Sequence, residues 1–301
     1  MRSKIIGLAS ALAVMAFTTG AAKADCGEVS ISEMNWASAA VVTAVSKFLL
    51  EQGYGCTVKK VPSSTVPVVT SLAENGNPDI ATELWLNGAP AIPKLINDGK
   101  VKELTKVLSD GGVEGWYVPA YLAEKHPELK TIEGVLKNPQ LVGARFHQCP
   151  SGWGCQITNE SLTKAFDLEK NGIEVFQHGS GETLATSIAA AYDEKKPWFG
   201  YYWEPTAVLG KYPMVRVDLG PIDEKVHACN ANKDCKEVGK SQYPPSPVAT
   251  VVTTDFVKRA PQAAKLMENV SFTNKQMGEV LAWKKDNRAS ADEAAVHFIQ
   301  N

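Results

Sequence analysis

The chain has 301 residues, of which 44% are hydrophobic and 21% charged, and its formal net charge is −2. This is the composition of an ordinary globular protein of about two domains, and it excludes disordered, collagenous and coiled-coil chains. Because the sequence contains no block of basic residues, no nucleic-acid partner is expected.

Residues 1–24 predict a secretory signal peptide. Arg2 and Lys4 form a positive start, residues 5–17 are an apolar stretch too short to span a bilayer, and Ala22-Lys23-Ala24 matches an A-x-A cleavage site. No later apolar run reaches the ~18 residues of a membrane span. We therefore expect the mature chain to be a soluble, monomeric protein of the periplasm.

The elements that follow the signal peptide alternate strands with helices. We predict strands at 29–33, 56–62 and 79–85, with helices at 37–52 and 66–74 between them. This alternation is typical of a parallel sheet with crossover helices.

The middle of the chain repeats the pattern. Strands are predicted at 141–146, 173–177 and 198–202, and helices at 158–166 and 184–193. Each of the two sets is large enough to have its own core, so the sequence favours two α/β lobes.

Two extended segments are expected to connect these lobes, one at 115–121 and one at 247–254, and after the second only helices are predicted, at 255–267, 273–285 and 290–300. The division is therefore expected to be 25–116 plus 248–301 for lobe I and 117–247 for lobe II. Two lobes with two crossing hinge segments are typical of a solute receptor, with the ligand in the cleft between them.

The six cysteines are expected to be oxidised after export. Their spacing predicts two local disulfides, Cys149–Cys155 and Cys229–Cys235. Cys26 and Cys56 remain, each at the start of a predicted strand, and their pairing stays open. A zinc site using His147, Cys149 and Cys155 is the rival interpretation, but these residues lack the C-x₂-C spacing of a structural zinc site, so no metal is expected.

Signatures of catalysis are missing from the sequence. It contains no G-x-x-x-x-G-K-[ST], H-E-x-x-H or G-x-S-x-G motif, and its five histidines are scattered. We therefore expect neither an enzyme nor a cofactor. A secreted enzyme in which Glu114, Glu204 or a histidine acts on a methylated amine is the alternative of another class.

The large aromatic residues concentrate where predicted strands end. Ligands of open α/β sheets bind at the carboxyl ends of the strands, so these positions point to one site. A cage of aromatic faces selects a quaternary ammonium group, which needs no hydrogen-bond acceptor and is easily desolvated. The residues at these strand ends and in the neighbouring loops are Trp36, Trp85, Trp116, Trp153, Tyr202 and Trp203.

Two motifs resemble the glycine betaine/proline betaine-binding proteins of ABC importers: the run from Cys149 to Cys155 (CPSGWGC) and the run from Tyr201 to Thr206 (YYWEPT). The resemblance covers essentially the whole mature chain and implies a two-lobed periplasmic binding protein fold, type II-like, with permease subunits in the inner membrane as partners. It also implies an aromatic cage of Trp85, Trp153 and Trp203, and backbone N–H groups of Gly154 and Cys155 that meet a ligand carboxylate.

The chain departs from that family pattern near the carboxylate. After Trp85 only Asn87 offers a polar side chain, and residues 33–36 are similar to a branch that includes trimethylamine N-oxide receptors, in which a glutamate near the Glu114 position meets the oxide. Glu114 is thus either a selector of the ligand's polar end or a hinge residue. Trp36 is expected to form a fourth wall.

Together these features predict a receptor for a small quaternary ammonium osmolyte, glycine betaine first. Trimethylamine N-oxide, choline, proline betaine, carnitine or an amino acid such as histidine are the alternatives within the same class of receptor.

Overall fold

The computed structural model describes residues 26–301, so the predicted signal peptide lies outside the described residues. Within this range the strands are β1 (Glu28–Met34), β2 (Thr57–Ser63), β3 (Ile80–Trp85), β4 (Val101–Pro119), β5 (Arg145–Gln148), β6 (Glu174–Gln177), β7 (Gly200–Glu204), β8 (Met214–Arg216) and β9 (Ser246–Thr253). The helices are α1 (Ala37–Tyr54), α2 (Thr65–Asn75), α3 (Ile92–Asn97), α4 (Ala120–Lys125), α5 (Ile132–Lys137), α6 (Gly154–Ala165), α7 (Gly181–Glu194), α8 (Ala207–Lys211), α9 (Glu224–Asn230), α10 (Thr254–Arg259), α11 (Pro261–Met267), α12 (Asn274–Asp286) and α13 (Ala291–Gln300).

The strands form a sheet whose two halves have the same topology. In the first half β1 is parallel to β2 and β3, and β9 runs antiparallel between β3 and β4. In the second half β5 is parallel to β6 and β7, and β4 runs antiparallel between β7 and β8. In each half, therefore, four strands run one way and a fifth runs against them. The expected α/β fold with mainly parallel sheets flanked by helices is confirmed.

Strand β4 is long enough to belong to both halves. Its residues from Val101 to Gly112 pair with β9, and those from Val113 to Pro119 pair with β7 and β8. Strand β4 thus changes its partner strands between Gly112 and Val113, just before the predicted lobe boundary at residue 116. The sequence predicted only the end of this strand, because the polar residues of 102–106 do not show a strand pattern until β9 pairs with them.

Two predicted elements differ in the structure for reasons of proline chemistry. The strand predicted at 141–146 is instead a 3₁₀ turn at Pro139–Val142 followed by β5, since Pro139 favours the first position of a helical turn. The helix predicted at 255–267 is divided into α10 and α11 at Pro261, which has no N–H to continue the helical hydrogen bonds.

The disulfides pair as Cys149–Cys155, Cys229–Cys235 and Cys26–Cys56. The two local pairings predicted from spacing are confirmed. The third joins residues next to the neighbouring parallel strands β1 and β2, whose first residues Glu28 and Thr57 lie side by side. Cys26 and Cys56 are therefore brought together by strand pairing, which their separation in sequence could not reveal.

Candidate functional site

A cavity lies where the two halves of the sheet meet, with an empty space of about 340 Å³ including the solvent at its mouth. Four tryptophans line it, and we call them the aromatic box: Trp36, Trp85, Trp153 and Trp203. Trp36 directly precedes α1 and Trp85 ends β3, both in the first half, while Trp153 directly precedes α6 and Trp203 lies in β7, in the second half. The cavity thus collects strand ends and helix starts from both halves, as expected for an open α/β sheet.

Edge-to-face contacts hold the box together. The Trp153 ring lies 5.3 Å from the ring of Trp36 and 5.1 Å from that of Trp203, at interplanar angles of 67° and 81°. Such T-shaped pairs are among the preferred aromatic arrangements. Trp85 packs so closely over Gly112 that a Cβ at that glycine would lie 2.1 Å from the ring. A side chain at Gly112 would therefore displace this wall.

Three indole N–H groups of the box are bonded to acceptors within the protein. Trp153 donates to Asn35 Oδ1 at 2.7 Å, a bond between residues 118 positions apart that joins the two halves. Trp36 and Trp85 donate to the same carboxylate oxygen, Glu83 Oε1, at 2.6 and 3.4 Å. With their polar edges satisfied in this way, these walls are suited to a group that offers no hydrogen bonds.

The loop closed by Cys149 and Cys155 contacts the first half of the sheet through its backbone. Its Gly152 carbonyl accepts the backbone N–H of Val66 at 2.9 Å. Gly154, the first residue of α6, faces Gly88, and a Cβ at Gly154 would lie 2.5 Å from the Gly88 carbonyl oxygen. The N–H groups of Gly154 and Cys155 belong to the first turn of α6, where N–H groups lack intrahelical acceptors and the helix dipole favours negative charge.

One buried acidic side chain lines the cavity. Glu114 Oε1 accepts a hydrogen bond from the Tyr201 hydroxyl at 2.8 Å. Burial raises the pKa of Glu114 to about 7, although the Tyr201 hydrogen bond and the charge of Arg216 oppose that shift. No Lys, Arg or His is among the residues lining this cavity. The basic side chain that acts on Glu114, Arg216, lies outside this lining, and the pKa of Glu114 stays raised in spite of it.

The structure brings seven of the ten predicted ligand-binding residues to the cavity: the four of the aromatic box together with Glu114, Gly154 and Cys155. Three lie outside its lining. Trp116 is fully buried between Phe146, Phe166 and Phe199 in the second half, and its indole N–H donates to Asn159. Asn87 donates instead to the carbonyls of Pro244 and Pro245.

Tyr202 is the third. Its ring stacks on that of Trp203, with 4.6 Å between centroids, and it lines a neighbouring pocket with Trp36 and Trp203. Tyr201 and Trp203, two residues apart in β7, both reach the cavity of the aromatic box. Tyr201, Thr65 and Gly88 also line the cavity and were not among the residues predicted from the sequence. Tyr201 lies two residues before Trp203 in the same strand, and that spacing could have identified it. Thr65 and Gly88 become recognisable only when the halves meet.

The structure gives no support to the zinc interpretation. Cys149 and Cys155 are bonded to each other, and His147 Nδ1 lies 2.9 Å from His178 Nε2. Across residues 26–301 no cluster of three or more His, Cys, Asp and Glu side chains could hold a metal ion. Among the described helices, none combines the length and apolar character needed to cross a bilayer.

Comparison with known proteins identifies relatives of this architecture. Residues 27–301 match the family described as the substrate binding domain of the ABC-type glycine betaine transport system. The glycine betaine/proline betaine-binding periplasmic protein of Salmonella typhimurium is 28% identical over 108 residues, which cover 33% of this chain and 31% of that protein. The match therefore spans about a third of the length of this curated relative.

Solved structures extend the likeness to nearly the whole chain. An ABC-transporter choline-binding protein in complex with choline has a TM-score of 0.72 at 21% identity, covering 91% of this chain and 88% of that one. Lactococcal OpuAC, closed and complexed with glycine betaine, has a TM-score of 0.70 at 21% identity, covering 91% and 95%. These two structures establish similarity to the two-lobed periplasmic binding protein fold.

Proposed function

Since the chain belongs to the family of substrate-binding domains of ABC-type glycine betaine transport systems, we propose that it captures a small trimethylammonium compound in its aromatic box. The family and the solved neighbours are substrate-binding receptors, not enzymes. In this proposal the protein works as a monomer in the periplasm. It binds its ligand between lobe I (25–116 plus 248–301) and lobe II (117–247), and delivers it to the permease of an ABC importer.

The observation that carries the proposal is the box itself. Four tryptophans from both halves of the sheet surround one cavity, and three of their indole N–H groups are already bonded elsewhere. A methylated ammonium is attracted to such ring faces by roughly 0.5–2 kcal/mol for each face. Because the walls come from both halves, closure of the lobes would complete the cage around the ligand.

The polar end of the ligand is addressed by Glu114. A carboxylate in the cavity would face this acidic side chain, and the one basic group that acts on Glu114, Arg216, lies outside the lining and does not bring the pKa of Glu114 back to its usual range. A ligand whose polar end is a single oxygen fits better: the hydroxyl of choline can donate to ionised Glu114, and protonated Glu114 can donate to the oxygen of trimethylamine N-oxide. Glu114 therefore favours these ligands over the glycine betaine that the sequence put first.

Glycine betaine remains the second candidate because of the start of α6. The first-turn N–H groups of Gly154 and Cys155 line the same cavity and suit a carboxylate. Calorimetric titration with trimethylamine N-oxide, choline, glycine betaine, proline betaine, carnitine and histidine tests the proposal. We expect binding of trimethylammonium compounds without chemical conversion, and no binding of histidine. Failure of every trimethylammonium compound to bind would refute it.

Glu114→Gln distinguishes a selector of the ligand's polar end from a hinge residue. Since the pKa of Glu114 is about 7, the carboxyl is mostly ionised at pH 8 and mostly protonated at pH 6. At pH 8 the variant should bind glycine betaine about tenfold more tightly, because a charge repulsion is removed, and choline about tenfold more weakly, because a charged acceptor is lost. At pH 6 both effects should shrink.

Calorimetric titration of the wild type and of Glu114→Gln with glycine betaine and with choline, at pH 6 and pH 8, measures these changes in affinity. Glu204→Gln removes an exposed acid next to Trp203 and serves as the control, for which no change is expected. Glu83, whose pKa is also raised, is common to wild type and variant, so the ratio of their affinities isolates Glu114. Parallel changes for betaine and choline would mean that Glu114 does not select the ligand.

Removing the Cys149–Cys155 disulfide with a double Ala variant should weaken ligand binding as well as stability. Closing so short a loop stabilises a protein by ~2–3 kcal/mol, and this loop also places Trp153 and the start of α6. The Cys229–Cys235 disulfide has the same separation of 6 residues and does not line the cavity, so its double Ala variant is the matched control. Both variants should melt at lower temperature, but only the first should lose affinity by calorimetry. Equal affinities would contradict the role given to the loop.

A further inference from the structure

A second buried acid, Glu83 of β3, lies behind two walls of the aromatic box. Its Oε1 accepts the indole N–H of Trp36 at 2.6 Å, the hydroxyl of Ser38 at 2.6 Å and the indole N–H of Trp85 at 3.4 Å. Its side chain has no exposure to solvent. One carboxylate oxygen thus positions two of the rings that face the cavity.

The backbone at Glu83 is arranged to aim this side chain. Its φ is +49°, in the left-handed region that residues other than glycine rarely adopt. The pairing of β3 with β9 shifts register between Ala81 and Leu84, the interval that contains Glu83. Such irregularities redirect side chains and concentrate at functional sites. Packing alone would not require a glutamate here, since an apolar residue in a regular strand could fill the same space.

The charge of Glu83 is not balanced by the groups around it. Its second oxygen, Oε2, is buried and has no hydrogen-bond partner in the described part of the chain. Desolvation raises the pKa of this carboxyl to about 7, and only the hydrogen bonds from Ser38, Trp36 and Trp85 oppose that rise. An unbalanced buried carboxylate is costly unless a positive charge comes close. The site next to it is the cavity bounded by the two rings it holds.

We propose that Glu83 is a specificity-determining positioning residue, a buried counter-charge that makes the aromatic box prefer a methylated cation to an uncharged group of the same shape. The inference rests on the proposed function. A carboxylate bonded to the indole N–H groups adds electron density to the rings of Trp36 and Trp85. It also attracts a ligand cation through a medium of low dielectric constant. Glu114 addresses the polar end of the ligand, and Glu83 addresses its ammonium end.

The test compares ligands that differ in charge but not in shape. Choline, a net cation, is paired with 3,3-dimethyl-1-butanol, and trimethylamine N-oxide, a zwitterion whose nitrogen carries a formal positive charge, is paired with 2-methyl-2-propanol; in each alcohol carbon replaces the charged nitrogen. Glu83→Gln keeps the size of the side chain and an acceptor for the indoles but removes the charge. We expect it to weaken binding of the charged partner of each pair about tenfold or more while leaving the uncharged partner within about twofold.

Ser38→Ala removes one of the hydrogen bonds that hold the pKa of Glu83 down, so it is compared with the wild type at about pH 9, where the carboxyl stays ionised. Under that condition it is the structural control, and the charged and uncharged ligands should change in parallel. A parallel change in Glu83→Gln as well would overturn the proposal and reduce Glu83 to a structural role. If the wild type binds no trimethylammonium compound, the proposed function itself is wrong, so the two failures are distinguishable.

A measurement that leaves Glu83 in place covers the case in which Glu83→Gln does not fold. Calorimetry of the Glu114→Gln protein at pH 7, in two buffers of different ionisation enthalpy, reports protons released on binding. Choline should release protons, because its charge favours ionised Glu83, and 3,3-dimethyl-1-butanol should release none. The same proton release for choline and 3,3-dimethyl-1-butanol at every pH from about 5 to 8, the range in which a glutamate raised from its usual pKa titrates, would overturn the proposal.

Discussion

Trp153→Ala is expected to weaken binding of choline or trimethylamine N-oxide by ~3 kcal/mol, about 100-fold. This residue lies at the centre of the aromatic box, in edge contact with Trp36 and Trp203, and its hydrogen bond to Asn35 joins the two halves of the sheet. Its removal therefore costs a ring face and also loosens two neighbouring walls. Alanine at Trp36, Trp85 or Trp203 should cost ~1–3 kcal/mol each.

Titration calorimetry, with a melting curve for each variant, measures these losses. Trp283→Ala provides the control, because that indole lies stacked on His297 at 3.9 Å between ring centroids and does not line the cavity. It should leave affinity unchanged. If all four box variants bind as tightly as the wild type, the cavity is not the ligand site.

Gly154→Ala should weaken ligand binding about 10- to 100-fold without lowering stability. A Cβ at this position would lie 2.5 Å from the Gly88 carbonyl oxygen and 2.7 Å from its Cα, both on the opposite half. Overlaps of this kind in packed regions cost ~1–3 kcal/mol. The halves would have to separate to relieve the overlap, so the closed state is penalised. The melting temperature should not fall, because Ala favours the helix that begins here.

Two further glycines calibrate the effect. Gly88→Ala introduces a milder contact, 3.0 Å from the Gly154 Cα, and should cost less affinity than Gly154→Ala. Gly278 lies in α12, where an added Cβ would meet no atom of residues 26–301 within 4 Å beyond its own helix backbone, so Gly278→Ala should have no effect on binding. Small-angle scattering with and without saturating ligand should show that Gly154→Ala closes less than the wild type. Wild-type affinity in Gly154→Ala would show that the approach of these glycines is not needed for binding.

Much of the architecture could be predicted because its determinants are local. The alternation of strands and helices, the short disulfide loops and the tryptophans at strand ends each depend on residues close in sequence. The errors were local as well: Pro139 and Pro261 moved or divided elements whose hydrophobic pattern was otherwise continuous.

The membership of the cavity was only partly predictable. Trp116 and Trp203 are both tryptophans near the junction of the halves, yet Trp116 fills the core of the second half while Trp203 lines the cavity. Neither composition nor position at a strand end separates these two roles. The role of each tryptophan depends on the distance along its strand between that residue and the junction of the halves. Tyr201 shares the strand period of Trp203 and lines the cavity, whereas Tyr202 stacks on the Trp203 ring outside that lining, a contact that only the structure shows.

The sequence by itself determined the α/β pattern, two disulfides and the set of tryptophans from which a cation cage could be built. Only the tertiary structure decided which four of them meet, that Gly88 and Gly154 touch, and that Glu83 lies behind Trp36 and Trp85. The physical reason is distance along the chain. Periodicity and loop closure are short-range properties, whereas the cavity exists only because residues such as Asn35 and Trp153, 118 positions apart, are brought together when the two halves pack.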